Sequence, residues 1–166
     1  MVLTPLPKDL LIYHSAKQFS VGAGAIEKFT RIPDSTMFAV QPFIVCAAFS
    51  VELYLKCLLE ISGKSNVKGH DLLKLFSQLP TKDKEGILFF IRGAYVNLSL
   101  PLTFLEERLA ELGEAFVEWR YVHEDKILSI DVHFLRQFAW GCREHIHNLR
   151  PDWPNLPLNS DPIAAR

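Results

Sequence analysis

The 166-residue chain is long enough for one domain and its core, and too short for two of ordinary size. Hydrophobic residues make up 49% and charged residues 22%, which excludes wholesale disorder. A formal charge of −1 excludes a grip on duplex nucleic acid by bulk positive potential, though not a local basic patch.

Strand signals are nearly absent and helical periodicity runs through the chain, so an all-α fold is expected. A first helix is predicted from about Lys8 to Phe29, with Leu11, Ser15, Phe19, Gly22 and Ile26 as its buried stripe. Gly22 and Gly24 weaken it by about 1 kcal/mol each relative to Ala, unless they let a neighbouring helix approach closely. Ile32-Pro33-Asp34 breaks it. The second helix, about Val40 to Ile61, is apolar on most sides, which marks it as the central one. Pro42 suits its first turn and Ser62-Gly63 its end. His70 or Asp71 then caps a short third helix that stops before Pro80. Thr81 starts a fourth, with Ile87, Phe90, Ile91 and Ala94 turned inward. Pro101 opens a fifth, whose seam is Leu105, Leu109, Leu112, Phe116 and Trp119. Ser129 caps a sixth, with Asp131 near its positive end. Phe134, Phe138, Cys142, Ile146 and Leu149 form its buried face, and Pro151 ends it. Residues 1–150 thus read as one up-and-down helical bundle of about five to six helices, and 151–166 as a proline-rich extended tail.

The opening segment MVLTPLPKDLLIYH has no basic stretch followed by a long apolar one, so no secretory signal is expected. The longest uncharged run, Ser35 to Val51, contains Gln41 and Pro42 and continues into Glu52 and Lys56. It reads as a buried helix, with no membrane partner. Cys46, Cys57 and Cys142 are far apart and form no C-x-x-C, as expected of reduced core thiols in a cytoplasmic protein.

Three segments resemble the HEPN (higher eukaryote and prokaryote nucleotide-binding) helical domains. They are Ala47-Ala48-Phe49-Ser50-Val51-Glu52-Leu53-Tyr54-Leu55-Lys56-Cys57-Leu58-Leu59, then Gly69-His70-Asp71-Leu72-Leu73-Lys74-Leu75, and Phe116-Val117-Glu118-Trp119-Arg120-Tyr121-Val122-His123-Glu124. The resemblance implies an HEPN-like bundle that forms a homodimer, often beside a partner protein such as a nucleotidyltransferase. It implies either a metal-independent endoribonuclease or a non-catalytic module for a partner protein, a nucleotide or RNA. The nucleases of this family carry an Arg and a His separated by four to six residues. Here two residues separate Arg120 from His123, and three separate Arg143 from His147. That departure favours the non-catalytic module; the alternative is a diverged ribonuclease of toxin or defence type, using Arg120 with His123, its catalytic candidates, or Arg143 with His147.

Glu52 and Lys56 lie one helical turn apart, which gives an intrahelical pair, yet a carboxylate on so apolar a helix calls for a stronger partner. Arg120, with its planar fork, is the expected one. His123 continues the seam after Trp119 and reads by default as a core or interface histidine. His70 falls in a capping turn. His133, Arg136, Trp140, Arg143 and His147 form a stripe opposite the buried face of the sixth helix. Such a stripe is ordinarily solvated. An indole between guanidiniums is nonetheless suited to a partner or a base, and Trp140 is the residue expected at the dimer interface. Ligand-binding candidates are therefore Glu52, Lys56, His70, Arg120, Arg136, Trp140, Arg143 and His147. No metal is expected, because His145 and His147 point apart on a helix, and no cofactor is implied.

Overall fold

The computed structural model of the chain describes residues 6–30, 40–96, 99–118 and 131–153, without the side chains of residues 29, 30, 40, 41 and 114–118. Among these the architecture is all-α: α1 (Lys8–Thr30), α2 (Val40–Ile61), α3 (Leu72–Ser77), α4 (Thr81–Tyr95), α5 (Leu102–Glu118) and α6 (Val132–Leu149).

Composition explains why α2 is central. Ile44, Val51, Leu55, Leu58 and Leu59 are all buried, and α2 touches α1, α3 and α6. Pro42–Ile61 is long and apolar enough to cross a membrane, but 67% of its apolar window is buried within the bundle. It ends in a Schellman closure at Gly63 (φ 86°): Lys64 N–H donates to Leu59 O and Gly63 N–H to Glu60 O. The first turn of α3 is capped by Asp71, whose carboxylate accepts from Lys74 N–H at 2.9 Å. For α6 the cap is Asp131, accepting from Phe134 N–H at 2.8 Å, in the role expected of Ser129. Ser129 itself lies outside the described residues.

The phase of α1 differs from the expected one. Its buried residues are Leu10, Tyr13, His14, Ala16 and Ala23, while Leu11 and Phe19 remain 48% and 38% exposed. Two rows of similar hydropathy run side by side on this helix, and hydroxyl and imidazole groups disguise the deeper one. Burial is acceptable for Tyr13 because its hydroxyl meets His147. The outer row, Leu11 to Phe19, continues onto α2, where Phe19 and Phe49 stack with ring centroids 4.9 Å apart.

Gly22 and Gly24 admit no neighbouring helix, for a Cβ at either would meet nothing within 4 Å. Close approach occurs at the α4–α6 crossing. A Cβ on Gly86 would lie 2.2 Å from the His145 ring, and one on Gly141 would lie 2.9 Å from the Ile91 side chain. The two helices run antiparallel, with Tyr95 against His133 at one end and Asp83 against His145 at the other.

Elsewhere the expected faces hold. Ile87 and Ile91 of α4, Leu105, Leu109 and Leu112 of α5, and Phe134, Phe138, Cys142 and Ile146 of α6 are buried. Phe116 and Trp119 carry no described side chains. Cys57 and Cys142 are buried free thiols, and Cys46 is half-buried. Desolvation pushes the Cys57 and Cys142 thiols far above the ordinary range, so both stay protonated. Of the tail, Trp153 is buried and packs on Tyr13; residues 154–166 lie outside the description.

Candidate ligand-binding site

Where α1, α2 and α6 meet, small side chains leave a groove of about 190 Å³. Ala23, Gly24 and Ala47 make the room, Ser20 and Ser50 line it with hydroxyls, and Arg136, Trp140 and Arg143 close it from α6. The α6 stripe is therefore not a solvated face. Only its first member, His133, is exposed; the other four are half-buried against α1 and α4. The cause is topological, because α6 packs on α2 and α4 and side chains of α1 reach it at Glu27–Arg136 and Tyr13–His147.

Each groove residue is held. Arg136 donates to Glu27 of α1 at 2.6 Å and lies over the Phe43 ring. Its Nε is buried and has no hydrogen-bond partner among the described residues, an unsatisfied charged donor of the kind that native interiors rarely leave. Arg143 forms a two-pronged contact with Glu144 at 2.9 and 2.7 Å. Trp140 presents its indole edge-on to Phe90 of α4, at 6.0 Å between centroids. Behind the groove the fully buried Tyr54 hydroxyl, near Arg143 and Ser20, is kept protonated by desolvation.

His147, one turn beyond Arg143, faces away from catalysis. Its Nε2 lies 2.6 Å from the Tyr13 hydroxyl and its Nδ1 3.8 Å from Glu144. Burial raises the Tyr13 pKa, so the phenol keeps its proton and the hydroxyl and Nε2 share one hydrogen bond. Burial also lowers the His147 pKa, with Arg143 and Lys17 adding to the effect and Glu144 opposing it. A ring already engaged by Tyr13 is poorly placed to move protons in the groove.

Three other candidates meet at the C-terminal half of α2. Glu52, only 3% exposed, accepts from Lys56 Nζ at 2.7 Å and from His70 Nδ1 at 3.0 and 3.1 Å. The intrahelical pair is thus present, and His70 supplies a second partner rather than a helix cap. Arg120, the partner expected for Glu52, lies outside the described residues, as do His123 and Glu124.

Sequence reasoning missed one pair. Asp83 and His145 are both buried, with His145 Nε2 donating to Asp83 Oδ1 at 3.0 Å across the α4–α6 crossing. His145 Nδ1 is buried without a partner. His145 and His147 do point apart, toward α4 and α1 respectively, and no group of three or more potential metal-binding side chains occurs among the described residues.

No protein-family model matches the chain, and neither a curated protein nor a solved structure matches it.

Proposed function

We propose that this chain is a non-catalytic, HEPN-like helical module that binds a nucleotide or a single-stranded segment of RNA and self-associates. The observation that carries the reading is the groove between α1, α2 and α6. Two guanidiniums and an indole surround a cleft floored by small residues and hydroxyls, and one guanidinium donor there is buried without a partner among the described residues. Arg supports phosphate and Trp supports a base, each stacked base being worth about 1–3 kcal/mol in single-strand binding. The engagement of His147 by Tyr13 weighs against the Arg143–His147 form of the diverged-ribonuclease alternative.

Self-association is better served by the exposed row of Leu11 and Phe19 on α1 with Val45 on α2 than by Trp140, which the bundle partly covers.

Fluorescence anisotropy with a labelled single-stranded RNA, in chelator, tests the proposal. Wild type should bind and leave the oligomer intact on a gel. Replacing Trp140 and Arg143 together by Ala should weaken binding about tenfold or more. Binding unchanged in that variant removes the groove; cleavage by the wild type that is lost in Arg120→Ala/His123→Ala restores the nuclease.

A further inference from the structure

At the far end of the α1–α2 pair from the groove, a second concavity of about 330 Å³ opens. The first turn of α1, the last turns of α2 and the loop after Gly63 enclose it. Four ammonium groups line it, from Lys8, Lys56, Lys64 and Lys68, against one carboxylate, Glu60. In a chain of net charge −1 this is a marked local concentration of positive charge.

Ordinary helix chemistry accounts for part of it. Lysines near the C-terminus of α2 offset the partial negative charge of that end. Lys8 bonds Glu60 at 2.9 Å and Asn66 at 3.0 Å, and the Lys8 hydrogen bond, followed by that of Ser65, holds the Glu60 carboxyl below its usual range. Lys64 donates to Gln78 O at 2.6 Å, and Lys56 to Glu52. Two features remain. An ammonium has three donors, so the paired lysines retain N–H groups beyond these contacts, and Lys68 has no bonded partner among the described residues. The loop is also fixed in place, with Gly63, Asn66 and Gly69 at positive φ and Ser65 tied to Glu60 at 2.8 Å. Lysines held beforehand by such a loop lose less freedom when a ligand arrives.

We infer that this lysine-lined concavity is a binding site for a compact polyphosphate, either free or as the tail of a nucleotide. Lys8 and Lys56 already have Glu60 and Glu52 beside them, so Lys64 and Lys68 carry the uncompensated charge, and linked phosphates, with several charges within a few ångströms of one another, meet both. Ile12 and Val67 back the lysine stems with apolar surface and add no competing carboxylate. The site is separate from the α1–α2–α6 groove and stands or falls independently of it.

Calorimetric titration of the full chain in chelator, at constant ionic strength, tests this with three probes: tripolyphosphate, ATP and inorganic phosphate. Tripolyphosphate and ATP should both bind, and inorganic phosphate about tenfold more weakly or worse. Similar constants for the first two mark the phosphate chain as the whole ligand, while a tighter constant for ATP that persists when Trp140 and Arg143 of the groove are both replaced by Ala marks the nucleotide as its source. Lys64→Glu/Lys68→Glu should raise both dissociation constants about tenfold or more, and Lys82→Ala, at an exposed position of α4, should leave the tripolyphosphate constant unchanged. Circular dichroism verifies that the variants fold; if the double lysine variant does not, Lys68→Ala, at an exposed loop position, must weaken tripolyphosphate binding by itself. Absence of binding, equal binding of inorganic phosphate, or constants insensitive to the lysine changes would overturn the inference.

Discussion

Two buried carboxylates, Glu52 and Asp83, meet the same electrostatic problem with opposite arrangements. Glu52 is reached by two side chains whose outer ends touch water, Lys56 at 20% and His70 at 66% exposure. Asp83 has His145 alone among the described residues, and the pair is sealed at 3% and 6% exposure between α4 and α6. A partner with a wet end can be exchanged for water when it is lost, whereas a sealed one cannot. The same chemistry therefore carries little structural consequence at one site and a large one at the other.

The sharpest test removes His145. His145→Ala should cost about 3–5 kcal/mol in urea unfolding, because it leaves a carboxylate buried and unpaired. A loss below 1 kcal/mol would mean that water enters the crossing and the contrast fails. Gly86→Ala comes next, with an expected cost of about 3 kcal/mol, since its methyl would occupy the space of the His145 imidazole. If Gly86→Ala loses nothing in thermal melting, α4 and α6 do not cross as closely as described. Glu52→Gln should cost about 2 kcal/mol, from two lost charge-assisted bonds in a buried setting. His70→Ala, by contrast, should cost no more than about 1 kcal/mol, because an exposed imidazole is readily replaced by solvent. Equal losses for His70→Ala and His145→Ala would erase the distinction.

Acid should produce the smallest effect of the set. The His14 and His147 pKa values lie below the ordinary 6.5, mainly through desolvation, so the folded protein resists protonation that the unfolded chain accepts. Their contribution to stability is complete above pH 6.5 and fades as pH falls toward the lowered folded values. The melting temperature of wild type should drop modestly from pH 7.5 to 5.5, and less so in His147→Gln. An identical slope in the variant would place the coupling elsewhere.

Comparison of these regions also shows what was legible in advance. The Glu52–Lys56 pair is local, so spacing along one helix reveals it, and the bounds of α2 and the start of α4 at Thr81 follow from composition and turn chemistry. Asp83 and His145 lie 62 positions apart, and each passes for an ordinary helix residue. The available signal was glycine. Gly86 and Gly141 sit inside helices at an energetic cost that only close packing offsets, each within a turn of one partner of the sealed pair. Gly22 and Gly24 carry the same sequence signature without the contact, so the signal locates candidates and does not choose among them. The groove was half legible. Arg136, Trp140 and Arg143 were recognisable as a set, but the small residues of α1 and α2 that make room for them become meaningful only once the phase of α1 is fixed.

The position of α6 against α1, α2 and α4 also bears on how the chain is made. A ribosome delivers α6 after the other five helices, so the emerging α1–α5 intermediate lacks both the Phe134–Phe138–Ile146 face and the partner of Asp83. Until Val132–Leu149 clears the exit tunnel, the α2 surface awaiting it is open to chaperones, proteases and other nascent chains. Arrival of α6 supplies both the Phe134–Phe138–Ile146 face and the partner of the sealed carboxylate, so a single docking event closes two exposed liabilities at once.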